Sequence, residues 1–117
     1  MHVMAVTPMN IGYTFCIAFL SGKEESHYSW ALNQMKKLMT YQEDLVFVTD
    51  RELSLMHAID HNLPSAKSLL CLWHIYKNVK THAKTSIDGA IAQDDFCELF
   101  QSLVNSKTTD EYEIKYN

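Results

Sequence analysis

The sequence predicts an α/β fold in which a mixed sheet is flanked by helices and followed by an α-helical segment. Two observations predict it. The chain opens with two β-rich runs that are separated by turn residues. Behind them, short apolar runs alternate with stretches whose apolar residues recur with a helical period, which is the pattern of strands that alternate with helices. The predicted order of elements is β-β-α-β-α-β-α-α-α.

The first three elements follow from composition and period. The runs at 2–7 and 13–19 predict an antiparallel hairpin, because the Pro, Asn and Gly of "PMNIG" favour a turn between them. Residues 24–40 predict the first helix, since their apolar side chains recur on one helical face. These side chains are Tyr28, Ala31, Leu32, Met35, Leu38 and Met39.

The middle of the chain predicts a strand, a helix and a second strand. Residues 45–48, "LVFV", form a short uninterrupted apolar run that is typical of a buried strand. Residues 51–62 predict the second helix through Leu53, Met56 and Ile59, and Asn62 and Pro64 end it. The run "KSLLCL" predicts another short strand.

Three further helices are predicted after this strand. The third carries Leu72, Tyr76, Val79 and Ala83 on one side. The fourth, near 91–105, has an amphipathic stripe of Phe96, Leu99, Phe100, Leu103 and Val104. Thr108 and Glu111 have the spacing of a capping box and predict the start of a fifth helix.

Composition limits the classes of function. The 117 residues suffice for one domain, and the net charge of -4 means that any nucleic-acid contact must come from a local basic patch. Three widely spaced cysteines give no disulfide framework and favour a reducing compartment. The sequence shows neither a signal peptide nor an apolar run of the roughly 18 to 20 residues that span a membrane.

Asp50 follows the apolar run 45–48, at the strand end where ligand and catalytic groups gather in such sheets. One interpretation is a metal-binding carboxylate, part of a cluster that holds two divalent ions for phosphodiester cleavage. The other is that Asp50 or Thr49 caps the following helix. The two interpretations are compatible, and spacing leaves both open.

The segment that follows carries two more patterns. Cys71 and His74 have C-x-x-H spacing, which can form half of a zinc site. The alternative is a cysteine buried in a strand and a histidine that hydrogen-bonds locally near a helix start. Lys77, Lys80 and Lys84 form an i, i+3, i+7 stripe, which could hold phosphates or be a solvated helix face.

The aromatic residues Trp30, Trp73 and Tyr76 stand beside apolar helix positions. This placement favours packing in the core over stacking on nucleic-acid bases.

The string "VFVTDRELSLMHAI", followed by "LPSAKSLLCLWHIYKNV", resembles the transposase domain of Mutator-like elements (MULE). The upstream "VMAVTPMNIGYTFCIAFLSGKEESHYSWALNQMKKL" and the tail "FCELFQSLVNSKTTDEYEIKY" extend the resemblance over essentially the whole chain. It implies an RNase H-like fold with an Asp-Asp-Glu triad that binds two Mg²⁺ or Mn²⁺ ions. That triad hydrolyses element ends and joins them to target DNA.

Carried over residue by residue, the resemblance makes Asp50 the second Asp of the triad and a metal ligand. Cys71 and His74 match the C-x-x-H motif, with a structural or DNA-contacting role. We expect Arg51 and the lysine stripe, Lys77, Lys80 and Lys84, to be the DNA contacts.

The resemblance also sets the expected extent of the domain. Residues 1–117 correspond to part of the catalytic domain, with 1–84 a portion of the RNase H-like core and 85–117 the start of a helical insertion. The first Asp would lie on a strand before Met1, and the third acid beyond the last helix. We therefore expect a fragment that lacks the first, central strand and has no catalytic activity of its own.

Loss of a central strand would leave two sheet edges unpaired, so we expect marginal stability or self-association through those edges. The implied partner is DNA, the implied compartment is the nucleus, and no membrane is involved. The alternative function is a domesticated, non-catalytic nuclear module that binds DNA or protein.

Overall fold

The helices and strands follow the predicted order. A computed structural model describes residues 1–40 and 44–117. It contains β1 (His2–Val6), β2 (Gly12–Ile17), α1 (Glu25–Leu38), β3 (Val46–Thr49), α2 (Leu53–Asn62), β4 (Lys67–Leu70), α3 (Leu72–Ser86), α4 (Ala90–Val104) and α5 (Thr109–Tyr116). The α/β class with a helical C-terminal stretch is confirmed. The chain forms two compact units, Met1–Leu69 and Leu70–Asn117; the division at residues 84 and 85, which rests on the resemblance, stays a prediction.

The predicted hairpin is present at the start of the chain. β1 and β2 pair antiparallel, with His2 opposite Ile17 and Val6 opposite Gly12. The Asn10 N–H donates to the Thr7 carbonyl over 2.9 Å and closes the turn. Asn10 has a φ of 60°, a left-handed conformation that asparagine tolerates better than most residues. The residues of "PMNIG" therefore form the predicted turn between β1 and β2.

β3 and β4 form the second strand pair of this unit. The Lys67 N–H donates to the Leu45 carbonyl over 2.8 Å, which joins the start of one strand to the start of the other. The two strands consequently run in the same direction, and α2 is the crossover helix that such a connection needs.

The strands of the predicted incomplete mixed sheet form two separate sheets. In the described part of the chain, β1 pairs with β2 and β3 pairs with β4, and no strand joins the two pairs. Each strand therefore keeps one edge without a ladder partner among residues 1–40 and 44–117. The outer faces also expose apolar side chains, with Val6 66% exposed and Val48 60% exposed. An unpaired edge beside an apolar face is the arrangement that invites another strand.

The core of this unit lies between α1, α2 and the inner faces of both sheets. Its buried members are Tyr28, Leu32, Met35, Ala58, Ile59 and Leu63. Val3 and Phe15 of the hairpin pack against it, as does Phe47 of β3. Two residues of the predicted apolar faces are not buried. Leu38 at the end of α1 is 67% exposed, and Leu53 at the start of α2 is 52% exposed.

Asn62, the last residue of α2, ties the two helices together. Its Nδ2 donates to Ser29 Oγ over 3.0 Å and to the Ala58 carbonyl over 2.7 Å. Asn33 Nδ2 donates to Asn62 Oδ1 over 3.0 Å, and Lys36 Nζ donates to the Asn62 carbonyl over 2.9 Å. Asn62 thus ends α2, as predicted, and also links it to three positions on α1.

The second unit consists of α3, α4 and α5. The rings of Tyr76 on α3 and Phe100 on α4 meet edge to face, with centroids 5.8 Å apart. Lys115 Nζ on α5 donates to the Ser102 carbonyl on α4 over 3.0 Å. Tyr76 and Phe100 both belong to the sides of α3 and α4 that the sequence predicts to be apolar.

The predicted cap of α5 is confirmed at Thr108. The Thr108 hydroxyl accepts the Glu111 N–H over 3.1 Å. The Glu111 carboxylate accepts the N–H of Lys107 over 2.9 Å, one residue before the partner that a capping box uses. Thr108 and Glu111 therefore both take part in capping α5, but the carboxylate of Glu111 accepts from Lys107 and not from Thr108.

Candidate functional site

Asp50 stands immediately after β3, which ends at Thr49, and its side chain is exposed. The capping interpretation is wrong: α2 begins at Leu53, and Glu52 occupies the N-cap position with φ -88° and ψ 98°. Asp50 and Thr49 come too early in the chain to cap this helix. Arg51 is also exposed, in the short link between strand and helix.

Tyr28 and Glu52 complete the surroundings of Asp50. Tyr28 of α1 is only 7% exposed. Burial, and then the negative charges of Glu52 and Asp50, raise the pKa of the Tyr28 hydroxyl. Lys23 Nζ lies 4.0 Å from Glu52 Oε2 and partly offsets that charge. Sequence reasoning missed Glu52, although its position two residues after Asp50 was the available signal.

The ligand types at this strand end suit a hard divalent cation, because Mg²⁺ and Mn²⁺ prefer carboxylate oxygens. Their number does not match the triad that the resemblance implies. Among residues 1–40 and 44–117, no three His, Cys, Asp or Glu side chains are grouped to hold a metal. We therefore derive no catalytic step at Asp50 from these residues.

Cys71 and His74 lie at the start of α3. Cys71 is the N-cap residue, with φ -69° and ψ 116°, and its thiol is free and half-buried. The expectation that Cys71 is buried in a strand is wrong, since β4 ends at Leu70. His74 Nδ1 is buried and, among the described residues, has no hydrogen-bond partner, so the expected local bond is absent at that atom. The ring of His74 instead meets the Trp73 ring edge-on, with centroids 4.8 Å apart.

α3 presents a basic face. The helix "LWHIYKNVKTHAKTS" holds three lysines and no acidic residue, in a chain whose net charge is -4. Trp73, Lys77, Lys80 and Lys84 are spaced i, i+4, i+7 and i+11, which places them within an arc of roughly 60° on an α-helix. All four side chains are exposed. We call these four residues the α3 basic face.

The prediction that the two tryptophans pack in the core is wrong. Trp30 is 56% exposed and Trp73 is 62% exposed, whereas Tyr76 is half-buried against Phe100 as expected. Lys77 Nζ lies 5.0 Å from the centroid of the Trp73 ring, a cation–π contact. The exposure of Trp73 could have been predicted from its spacing, because it lies one helical turn before Lys77 and therefore on the basic face of α3.

The helices in residues 1–40 and 44–117 include none that is both long and apolar enough to cross a membrane.

Two comparisons with known proteins found a match. The family model of the MULE transposase domain matches residues 1–78, a stretch that contains Asp50, Cys71, His74 and Lys77. Over 96 residues the chain is 28% identical to FAR1-related sequence 2 of Arabidopsis thaliana, a match that covers 81% of this chain and 11% of that relative. The chain thus spans about a tenth of the relative's length. No solved structure matches the chain. Because the family model covers most of its residues, the chain belongs to the MULE transposase domain family.

Proposed function

We propose that this chain is a DNA-binding part of a transposase-derived nuclear domain and does not cleave DNA by itself. The observation that carries the proposal is the α3 basic face, which has three exposed lysines and no acid on its helix. We further propose that β1–β4 are part of an RNase H-like sheet.

The charge distribution supports DNA as the partner. A chain with a net charge of -4 repels a polyanion as a whole, so attraction must be local. From Lys77 to Lys84 the helix rises about 10 Å, and each strand of B-DNA carries one phosphate per about 3.4 Å along the duplex axis. The lysines can therefore neutralise several phosphates of one strand, which releases counterions and favours binding.

The acids support binding without cleavage. Two-metal cleavage of a phosphodiester needs carboxylates that hold both ions. Asp50 and Glu52 are the carboxylates that act on Tyr28, and the described residues group no third ligand with them. One exposed carboxylate, Asp50, and one half-buried carboxylate, Glu52, would hold a divalent ion weakly, so we propose that metal-dependent cutting is absent from this chain.

A second candidate is that Asp50 serves in a complete Asp-Asp-Glu site with acids contributed from outside these residues. The observation that favours it is that Asp50 is exposed and has no capping role. Here Mg²⁺ or Mn²⁺ would supply the Lewis acidity, and Asp50 would hold a cation at a strand end.

The test of binding compares two triple variants that remove the same charge. Lys77→Ala/Lys80→Ala/Lys84→Ala removes the basic face, whereas Lys37→Ala/Lys67→Ala/Lys107→Ala removes exposed lysines elsewhere. Fluorescence anisotropy with a labelled duplex at low salt gives both affinities. We expect the first variant to bind at least about tenfold more weakly than the second. Equal affinities would contradict the proposal.

The test of cleavage uses supercoiled plasmid with Mn²⁺. We expect no nicking above background by the chain or by its Asp50→Ala variant. Nicking by the chain that Asp50→Ala abolishes would show that the chain cleaves DNA by itself and would contradict the proposal.

A further inference from the structure

We propose that Trp73 stacks on an unpaired DNA base, so that the α3 basic face selects DNA in which a base has left the duplex stack. The inference rests on the proposed function, namely that α3 contacts DNA. It adds the class of DNA and the residue that recognises it.

Trp73 is available for such a contact. At 62% exposed it presents a large aromatic surface to solvent, although tryptophan is on average a well-buried residue. α3 packs through other residues: Ala83 is buried and Tyr76 meets Phe100. Trp73 is therefore not required for the packing of its own helix.

The indole is held in place by two neighbours. Lys77 Nζ lies over the ring at 5.0 Å from its centroid, and the His74 ring approaches it edge-on at 83°. The ammonium lies over one face of the indole, and Trp73 is still 62% exposed and can accept a ligand. A base is a suitable occupant because every base has a π-face, and stacking on an aromatic side chain does not require a sequence.

The charges beside the indole favour a nucleotide over an apolar or cationic partner. Lys80 and Lys84 continue the face along the helix beyond Lys77, and α3 carries no acid that would repel phosphates. The phosphates that flank a stacked base would lie along these lysines. A groove that combines aromatic and basic side chains is the usual arrangement for single-stranded nucleic acid.

The experiment compares a duplex with the same duplex carrying one unpaired thymine. Affinities are measured by anisotropy for the wild-type chain and for Trp73→Ala, Trp73→Phe and Trp30→Ala. Trp30 is the matched control, since it is an exposed tryptophan on α1. Circular dichroism establishes that each variant keeps its helix content.

We expect the wild-type chain to prefer the bulged DNA by about tenfold, which is within the range of a single base–aromatic stack. Trp73→Ala should bind bulged DNA and plain duplex with equal affinity, Trp73→Phe should keep part of the preference, and Trp30→Ala should keep all of it. In the Trp30→Phe background, bulged DNA should quench the fluorescence of Trp73.

The failures are distinguishable. A preference that survives in Trp73→Ala overturns the stacking inference and leaves the proposed function intact, provided that duplex binding still depends on the lysines. A chain that binds an acidic peptide as tightly as bulged DNA also overturns it. Absence of duplex binding by the wild-type chain overturns both.

Discussion

Lys77 Nζ lies 5.0 Å from the centroid of the Trp73 ring, one helical turn away on α3. The contact joins the aromatic and the basic parts of the proposed DNA surface. Since Lys77 both carries charge and covers the indole, the two residues should not act independently on DNA binding.

The first prediction is therefore a coupling between these residues. In a double-mutant cycle of Trp73→Ala and Lys77→Ala, the two losses of affinity for bulged DNA should be non-additive by about 0.5 kcal/mol or more. The matched cycle uses Trp73 and Lys84, which are separated by about 16 Å along the helix and should be additive. Equal coupling in both cycles would contradict a direct role for the contact.

The second prediction concerns the core and uses two leucines of α1. Leu32 is 1% exposed, whereas Leu38 is 67% exposed. Leu32→Ala should lower the free energy of unfolding by about 2–5 kcal/mol, because it removes buried methyl groups and leaves a cavity. Leu38→Ala should change it by about 0.5 kcal/mol or less. Urea denaturation followed by circular dichroism measures both, and similar losses would show that the core is misassigned.

The third prediction separates the two interpretations of Asp50. Loss of an N-cap residue costs about 1 kcal/mol, but Glu52 holds that position on α2. Asp50→Asn should therefore leave the stability unchanged within about 0.5 kcal/mol. It should weaken the binding of Mn²⁺ measured by electron paramagnetic resonance, with Asp60→Asn, an exposed acid on α2, as control. A destabilised Asp50→Asn with unchanged Mn²⁺ binding would contradict this account of Asp50.

The fourth prediction is the pH dependence of α5. The hydrogen bond from Lys115, and then that from the Lys107 N–H, hold the pKa of Glu111 below its ordinary value of 4.5. A depressed pKa in the folded state gives stability that is present above the ordinary value and is lost as the pH falls through the folded-state pKa.

Helicity of α5 should accordingly decline on acidification, and Glu111→Gln should weaken the helix at neutral pH and flatten its acid response. Amide NMR signals of 109–116 measure both effects. Glu113→Gln in the same helix is the control. An unchanged acid response in Glu111→Gln would mean that other groups govern it.

The fifth prediction concerns the strand edges. Self-association should increase with concentration in sedimentation velocity, because both two-stranded sheets have unpaired edges and apolar outer faces among the described residues. Val6→Lys and Val48→Lys put a charge on one sheet each and should reduce it. Leu38→Lys, on an exposed helical position, should not. If all three variants behave alike, the contact is not made through the sheets.

Much of this fold could be predicted from local patterns. The spacing of Tyr28, Leu32 and Met35 indicates one buried face of α1, and these residues are buried. The apolar run before Asp50 likewise predicts its position at a strand end, and Asp50 directly follows β3. Both predictions depend only on residues that are close together in the sequence.

What the sequence left undecided depends on contacts made at a distance. The residues after Asp50 allow several helix starts, and in the structure Glu52 is the N-cap residue of α2. Two separate sheets, rather than one, follow from pairings between distant strands, which periodicity does not encode. Trp73 neighbours Leu72 in sequence, which favours a core position, but its helical position lies about 90° from the apolar side of α3, next to Lys77.

The central claim, that α3 binds DNA through its lysines, is tested most directly by the salt dependence of duplex binding. The logarithm of the affinity should fall linearly with the logarithm of salt concentration, with a slope of about 0.9 for each neutralised phosphate. We predict that Lys77→Ala/Lys80→Ala/Lys84→Ala reduces this slope by about two to three, whereas Lys37→Ala/Lys67→Ala/Lys107→Ala leaves it nearly unchanged. The same slope in the first variant and the wild-type chain would contradict the account.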